Sequence, residues 1–98
     1  MAKSLYAQIE PAAGHEDFVK NAITEYAKFV RSEPGNVRFE VYLTEKGLLH
    51  IEETYKDEAA FQAHIGYPEN KKFNDSIIGK VAGGASSVYF LTPLSVTF

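Results

Sequence analysis

The order of its hydrophobic periods restricts this chain more than any other feature. Leu5, Ala7 and Ile9 alternate with Tyr6, Gln8 and Glu10, which gives one apolar side, as a half-buried strand requires. From about His15 to Ser32 the period changes. Val19, Ile23, Tyr26 and Val30 recur at helical spacing, and Phe18, Ala22 and Phe29 widen the stripe to that of a core-facing helix. Glu33-Pro34-Gly35 stops this helix, because proline disfavours helical geometry in the residue before it and glycine permits a left-handed turn. Val37, Phe39, Val41 and Leu43 then alternate with Arg38, Glu40 and Tyr42. Lys46-Gly47 supplies a hairpin turn, and Leu49, Ile51, Glu53 and Tyr55 alternate with His50, Glu52 and Thr54.

The end of that third strand carries the first chemical signal. Glu53 points with the apolar residues, where an unpartnered carboxylate costs several kcal/mol. Asp57 follows as an N-cap and Glu58 places a charge near the helix start. Ala60, Phe61 and His64 then put a histidine beside the apolar stripe. Gly66-Tyr67-Pro68 breaks the chain, and Pro68 opens another helix through Phe73 and Ile77. Gly79 to Ala85 reads as a flexible connection. Ser87, Tyr89 and Leu91 alternate with Val88 and Phe90 in a fourth strand, and an apolar tail, Leu94 to Phe98, follows Pro93.

Strand, helix, strand, strand, helix or helices, strand is the order of a split βαβ, ferredoxin-like α+β fold: an antiparallel four-stranded sheet with helices on one face. At 98 residues one domain, 1–98, with one core is expected. The other sheet face, to which Arg38, Glu40, Tyr42, His50, Glu52, Val88 and Phe90 are assigned, is mixed polar and aromatic, and homodimerisation is its natural cover. Residues 94–98 either add a strand to a partner or pack on their own domain.

Charge and composition narrow the function. A net charge of -3 with scattered lysines and arginines leaves no footprint for nucleic acid and no polybasic membrane patch. There is no cysteine, which excludes disulfides, thiol catalysis and cysteine-bound metal and suits a reducing, cytoplasmic setting. His15, His50 and His64 fall on separate elements without metal-ligand spacing. Neither a GxGxxG nor a P-loop pattern is present.

Val30 to Tyr42, Glu53 to His64 and Tyr89 to Pro93 together resemble the antibiotic biosynthesis monooxygenase (ABM) domain family, over about Leu5 to Pro93. The resemblance implies a dimeric α+β barrel that oxygenates a small aromatic or quinol with molecular oxygen and needs no flavin, metal or heme. His64 would be the base, because imidazole titrates near working pH, and Glu53 would orient it. A flat ring would sit among Tyr26, Asn36, Phe39, Tyr55, Phe61 and Phe73. Each residue also has a plain structural use: a carbonyl bond for His64, an ion pair with Arg31 or Arg38 for Glu53, a turn for Asn36, and core packing for the aromatics.

Departures from the family narrow the chemistry. Glu69 stands where quinol-oxidising relatives often carry a second histidine. The absence of tryptophan, and of asparagine in Ala7-Gln8-Ile9-Glu10, argues against heme degradation. Glu33 to Phe39 with Glu53 to Glu58 also resembles an isomerase branch, so isomerisation of a small phosphorylated or hydroxylated carbonyl compound is an alternative. Non-catalytic ligand binding by a dimer is another.

Overall fold

A computed structural model describes residues 1–84 and 86–98. The elements are β1 (Lys3–Ile9), α1 (Glu16–Arg31), β2 (Asn36–Leu43), β3 (Leu49–Tyr55), α2 (Glu58–Gly66), α3 (Pro68–Ser76) and β4 (Ser87–Leu91), with a short 3-10 turn at Ala82–Gly84. The strands form one sheet in the order β2-β3-β1-β4, and every pairing is antiparallel. This is the ferredoxin-like arrangement that the order of periods predicts. The connection expected from Gly79 to Ala85 ends on Ala85, which lies outside the described residues.

One apolar layer joins sheet to helices. Leu5, Ala7 and Ile9 of β1, Phe39 of β2, and Leu49, Ile51 and Tyr55 of β3 are buried against Val19, Ile23, Ala27 and Val30 of α1. The α1 stripe is narrower than the sequence suggests, since Phe18 is exposed and Phe29 only partly buried. Phe73 and Ile77 complete the layer from α3 and the residue after it.

Two expectations about faces need correction. Leu5 pairs with Phe90 and Ala7 with Val88, and directly opposed residues share a face, so Val88 and Phe90 belong to the helix side and not to the open one. Phe90 meets Phe61 of α2 edge-on at 5.7 Å. Tyr89 takes the open face instead and stacks on Tyr6, which stacks in turn on His50. In β2 the register shifts between Asn36 and Arg38, so Val37 is the extra residue of a bulge and is exposed rather than inward. The tail residues 92–98 curve over the open face and enclose, with Arg38, His50 and Glu52, a hollow of about 600 Å³.

The Glu33-Pro34-Gly35 turn also differs from expectation. Gly35 is not among the glycines with positive φ, so left-handed geometry is not why it is there. A Cβ at Gly35 would overlap the Cβ of Ala60 in α2. The turn therefore needs glycine for close approach, and its carbonyl accepts from Lys56 N–H at 2.9 Å. Asp57 caps α2 as its type predicts, accepting from Ala60 N–H at 2.8 Å.

Gly35→Ala should cost about 1–3 kcal/mol, the range for overpacking, whereas Asp57→Ala should cost about 1 kcal/mol, as for a lost cap. Chemical denaturation checks the order of the two; an unchanged midpoint for Gly35→Ala would refute the close-packed turn.

Candidate active site

Between the helix face of the sheet and α1, α2 and α3 lies a cavity of about 210 Å³. Its wall is largely apolar. Leu5, Ala7, Ile9, Ile51 and Val88 come from the sheet, Ile23 from α1, and Phe61 and Ile65 from α2. Its polar groups are Glu53, His64, Tyr26, Asn70, Asn74 and Ser86, and among the described residues no lysine or arginine lines it.

Glu53 reaches the wall because strand alternation points it inward, opposite Phe39 in β2 and Leu5 in β1. His64 reaches it three residues after Phe61 on the same face of the capped helix α2, where both are buried. The Glu53 carboxylate accepts from the Tyr55 hydroxyl at 2.8 Å. His64 Nε2 stands 3.8 Å from Glu53 Oε1, too long for a hydrogen bond. Arg31 and Arg38 pair elsewhere: Arg31 Nε donates to the Phe39 carbonyl, and Arg38 bridges Glu52 on the open face.

The residue that the sequence reading passed over is Glu33. Its carboxylate lies 3.0 and 3.2 Å from His64 Nδ1, and both side chains are buried. An ionised carboxylate can only accept, so Nδ1 carries the proton and Nε2 is left to face Glu53 and the cavity. In the sequence Glu33 reads as part of the turn that ends α1 and of the segments that carry the family resemblance, with no side-chain role. The available hint was that His64 on an apolar face needs a partner, but nothing local selects one 31 positions away.

Six of the eight candidate site residues line the cavity: Tyr26, Phe39, Glu53, Phe61, His64 and Phe73. Tyr55 sits behind the wall, fully buried, with its ring 4.7 Å from that of His64. Asn36 is apart, its side chain donating to the Arg38 carbonyl at the bulge. His50 lies on the open face with Gln8 and Glu52. Glu69 opens α3 and lines an outer groove beyond Tyr26. Among the described residues, no group of three or more histidine, aspartate or glutamate side chains is arranged to hold a metal ion, and no helix is long and apolar enough to cross a membrane.

Burial pushes the Glu53 pKa above the ordinary carboxylate value. The Tyr55 hydrogen bond and His64 oppose this, and Glu33 adds to it. Burial likewise raises Tyr26 and Tyr55, with the carboxylates adding to both. Both phenols therefore remain protonated donors through the neutral range.

A raised folded-state pKa means that Glu53's contribution to stability is fully present below its unfolded pKa and lost as pH rises through the folded value. Glu53→Gln keeps an acceptor for Tyr55 without the charge. It should match the wild type near pH 4 and exceed it at pH 7–8, by about 1.4 kcal/mol for each pH unit separating the two pKa values. Thermal melts across pH check this, and a Gln variant less stable at pH 8 than at pH 4, relative to wild type, would refute it.

Comparison with known proteins places this fold in a wider group. A Mycobacterium tuberculosis protein known as Rv0793 superposes with a TM-score of 0.93 at 18% identity, covering all of both chains. The Pseudomonas aeruginosa protein PA3566 superposes with a TM-score of 0.87 at 19% identity, over 96% of this chain and 95% of its own. A crystal structure of an antibiotic biosynthesis monooxygenase gives 0.86 at 18% identity, over 97% of this chain and all of its own. These superpositions establish a shared fold. No curated protein matches the sequence. The sequence itself matches the antibiotic biosynthesis monooxygenase family over residues 4–76, from β1 to the end of α3, and the chain belongs to that family.

Proposed function

We propose that this protein oxygenates a small, uncharged phenol or quinol with molecular oxygen, the substrate itself supplying the electrons. The observation that carries this reading is His64, pinned through Nδ1 by Glu33 and presenting Nε2 to an apolar cavity beside Glu53. A substrate hydroxyl between Nε2 and Glu53 would give its proton to His64. The electron-rich anion would then react with oxygen; overall the neutral substrate loses two hydrogens, one of them the proton taken by His64, and gains one oxygen atom, and the second oxygen atom leaves as water. The chemistry asks the protein for a placed base, exclusion of water and a hold on the anion.

The isomerase alternative draws on the same pair, since two titratable groups 3.8 Å apart can take a proton from one carbon and return it to the next. A phosphorylated substrate fits this cavity poorly. The buried Glu53 stands in the wall with Glu33 behind His64, and among the described residues no lysine or arginine lines the cavity, so a phosphate dianion would meet repulsion and no compensating charge. Isomerisation therefore narrows to neutral hydroxylated carbonyl compounds.

We also propose that a second copy covers the open sheet face. Tyr42, Tyr89, Leu91, Leu94, Val96 and Phe98 are all about half exposed or more, and exposed apolar side chains gathered on one face mark a surface for association. Exchange of the tail between copies is part of this reading.

Oxygen uptake by metal-stripped protein against a panel of quinols and phenols tests the chemistry. His64→Ala should lower turnover roughly 100-fold or more, as expected for loss of a general base. Turnover indifferent to His64 would sink the assignment, deuterium entering substrate from solvent without oxygen consumption would move it to isomerisation, and unaltered ligand binding without turnover would favour the non-catalytic alternative. For the assembly, sedimentation should give a dimer, and Tyr89→Arg should raise its dissociation constant at least roughly tenfold; a wild-type monomer at high concentration would refute the covered face.

A further inference from the structure

The polar groups of the cavity have opposite senses at different points of the wall. Where Glu53 and His64 Nε2 stand, the wall offers lone pairs. Elsewhere a hydrogen-bond chain runs the other way: Asn74 Nδ2 donates to Asn70 Oδ1 at 3.3 Å, and Asn70 Nδ2 donates to the Tyr26 hydroxyl oxygen at 2.9 Å. Having accepted, the Tyr26 hydroxyl still has a proton to give, and among the described residues no acceptor takes it.

The Tyr26 ring is also held in place. It stacks on Phe73 at 4.6 Å and 4° and meets Phe39 edge-on at 6.0 Å. Tyr26 borders both the cavity and the outer groove, but Asn70, which meets its hydroxyl, lines only the cavity. The unspent donor therefore belongs to the cavity. Burial raises the pKa of this phenol, outweighing the lowering by Asn70, so it keeps its proton when a ligand arrives.

We propose that Tyr26 is a specificity-determining donor, and that the cavity selects one aromatic ring bearing two oxygens: a hydroxyl that gives its proton at His64, and a carbonyl-type oxygen that accepts from Tyr26. This rests on the reading that a phenolic ring occupies the cavity, but not on the oxygenation step. The cavity of about 210 Å³ suits a single ring. A hydroxyarene with one oxygen would leave the Tyr26 proton unpaired, and a ring with only a carbonyl would leave the lone pairs at His64 without a donor. A site built to bond both ends discriminates against each, since a buried group left without its partner costs more than the bond contributes.

The test is binding of phenol, benzaldehyde and 3- and 4-hydroxybenzaldehyde to wild type, Tyr26→Phe and Asn70→Ala. It is followed by protein-observed NMR in mildly acidic buffer that keeps the phenols neutral. At least one hydroxybenzaldehyde should bind wild type roughly tenfold more tightly than either one-oxygen ring. Tyr26→Phe keeps the ring stack and should reduce that affinity to the level of phenol, while phenol itself changes by less than about twofold and so reports that the cavity is intact. Asn70→Ala, which frees the hydroxyl to turn, should give an intermediate loss. The proposal is overturned if wild type shows no preference for two oxygens, or if Tyr26→Phe weakens all the ligands equally or none. Oxygen uptake plays no part in these measurements: absent turnover with the binding preference intact would remove the oxygenase reading and leave this recognition in place.

Discussion

The contact on which the site depends is the hydrogen bond from His64 to Glu33, made between the turn after α1 and the last turn of α2. It forms only because these two parts of the backbone come unusually close, with Gly35 against Ala60. Buried carboxyl groups are costly to desolvate, and the fold offsets part of the cost by giving each a hydrogen-bond donor: His64 Nδ1 for Glu33, and the Tyr55 hydroxyl for Glu53. Among the described residues no buried side-chain polar atom lacks one. The same economy fixes the imidazole tautomer, so stability and function draw on one arrangement.

Placement in an apolar wall decides how strongly these groups act. The Tyr55 hydrogen bond and the nearness of His64 both favour ionised Glu53, yet burial outweighs them and its pKa is raised. A carboxyl raised in this way holds a proton more strongly than one in water, which suits it to a place beside the base. The balance depends on keeping water out, and the rings of Phe61, Phe73 and Tyr26 form that part of the wall.

Much of the fold was legible because periodicity is local. All four strands, α1, the Asp57 cap and the Pro68 start follow from spacing and residue type, and Glu53 showed itself as an acid among inward residues. What was not legible depends on pairing. Val88 and Phe90 look the same as Tyr89 and Leu91 until β4 is laid against β1, because a strand without polar alternation does not say which side it buries. The bulge at Val37 is likewise a property of β2 against β3. Gly35 was visible as a glycine, but its reason lies 25 residues on, at Ala60. Glu33 was hidden for the same cause: its partner is in another helix, and as a residue before proline it already had a sufficient local explanation.

Strand β3 connects the two faces of the molecule. Ile51, Glu53 and Tyr55 look toward the cavity and its histidine, while His50, Glu52 and Thr54 look outward, where Glu52 bridges Arg38 and His50 stacks on Tyr6. Cover over the open face would dry the outward row and hold this strand from behind. The position of Glu53 relative to His64 is set by the strand's backbone, and a displacement of about 1 Å is enough to spoil a placed proton transfer. An assembly that buried the aromatic strip and a chemistry that used the acid would thus be coupled through seven residues of one strand, without either face contributing a side chain to the other.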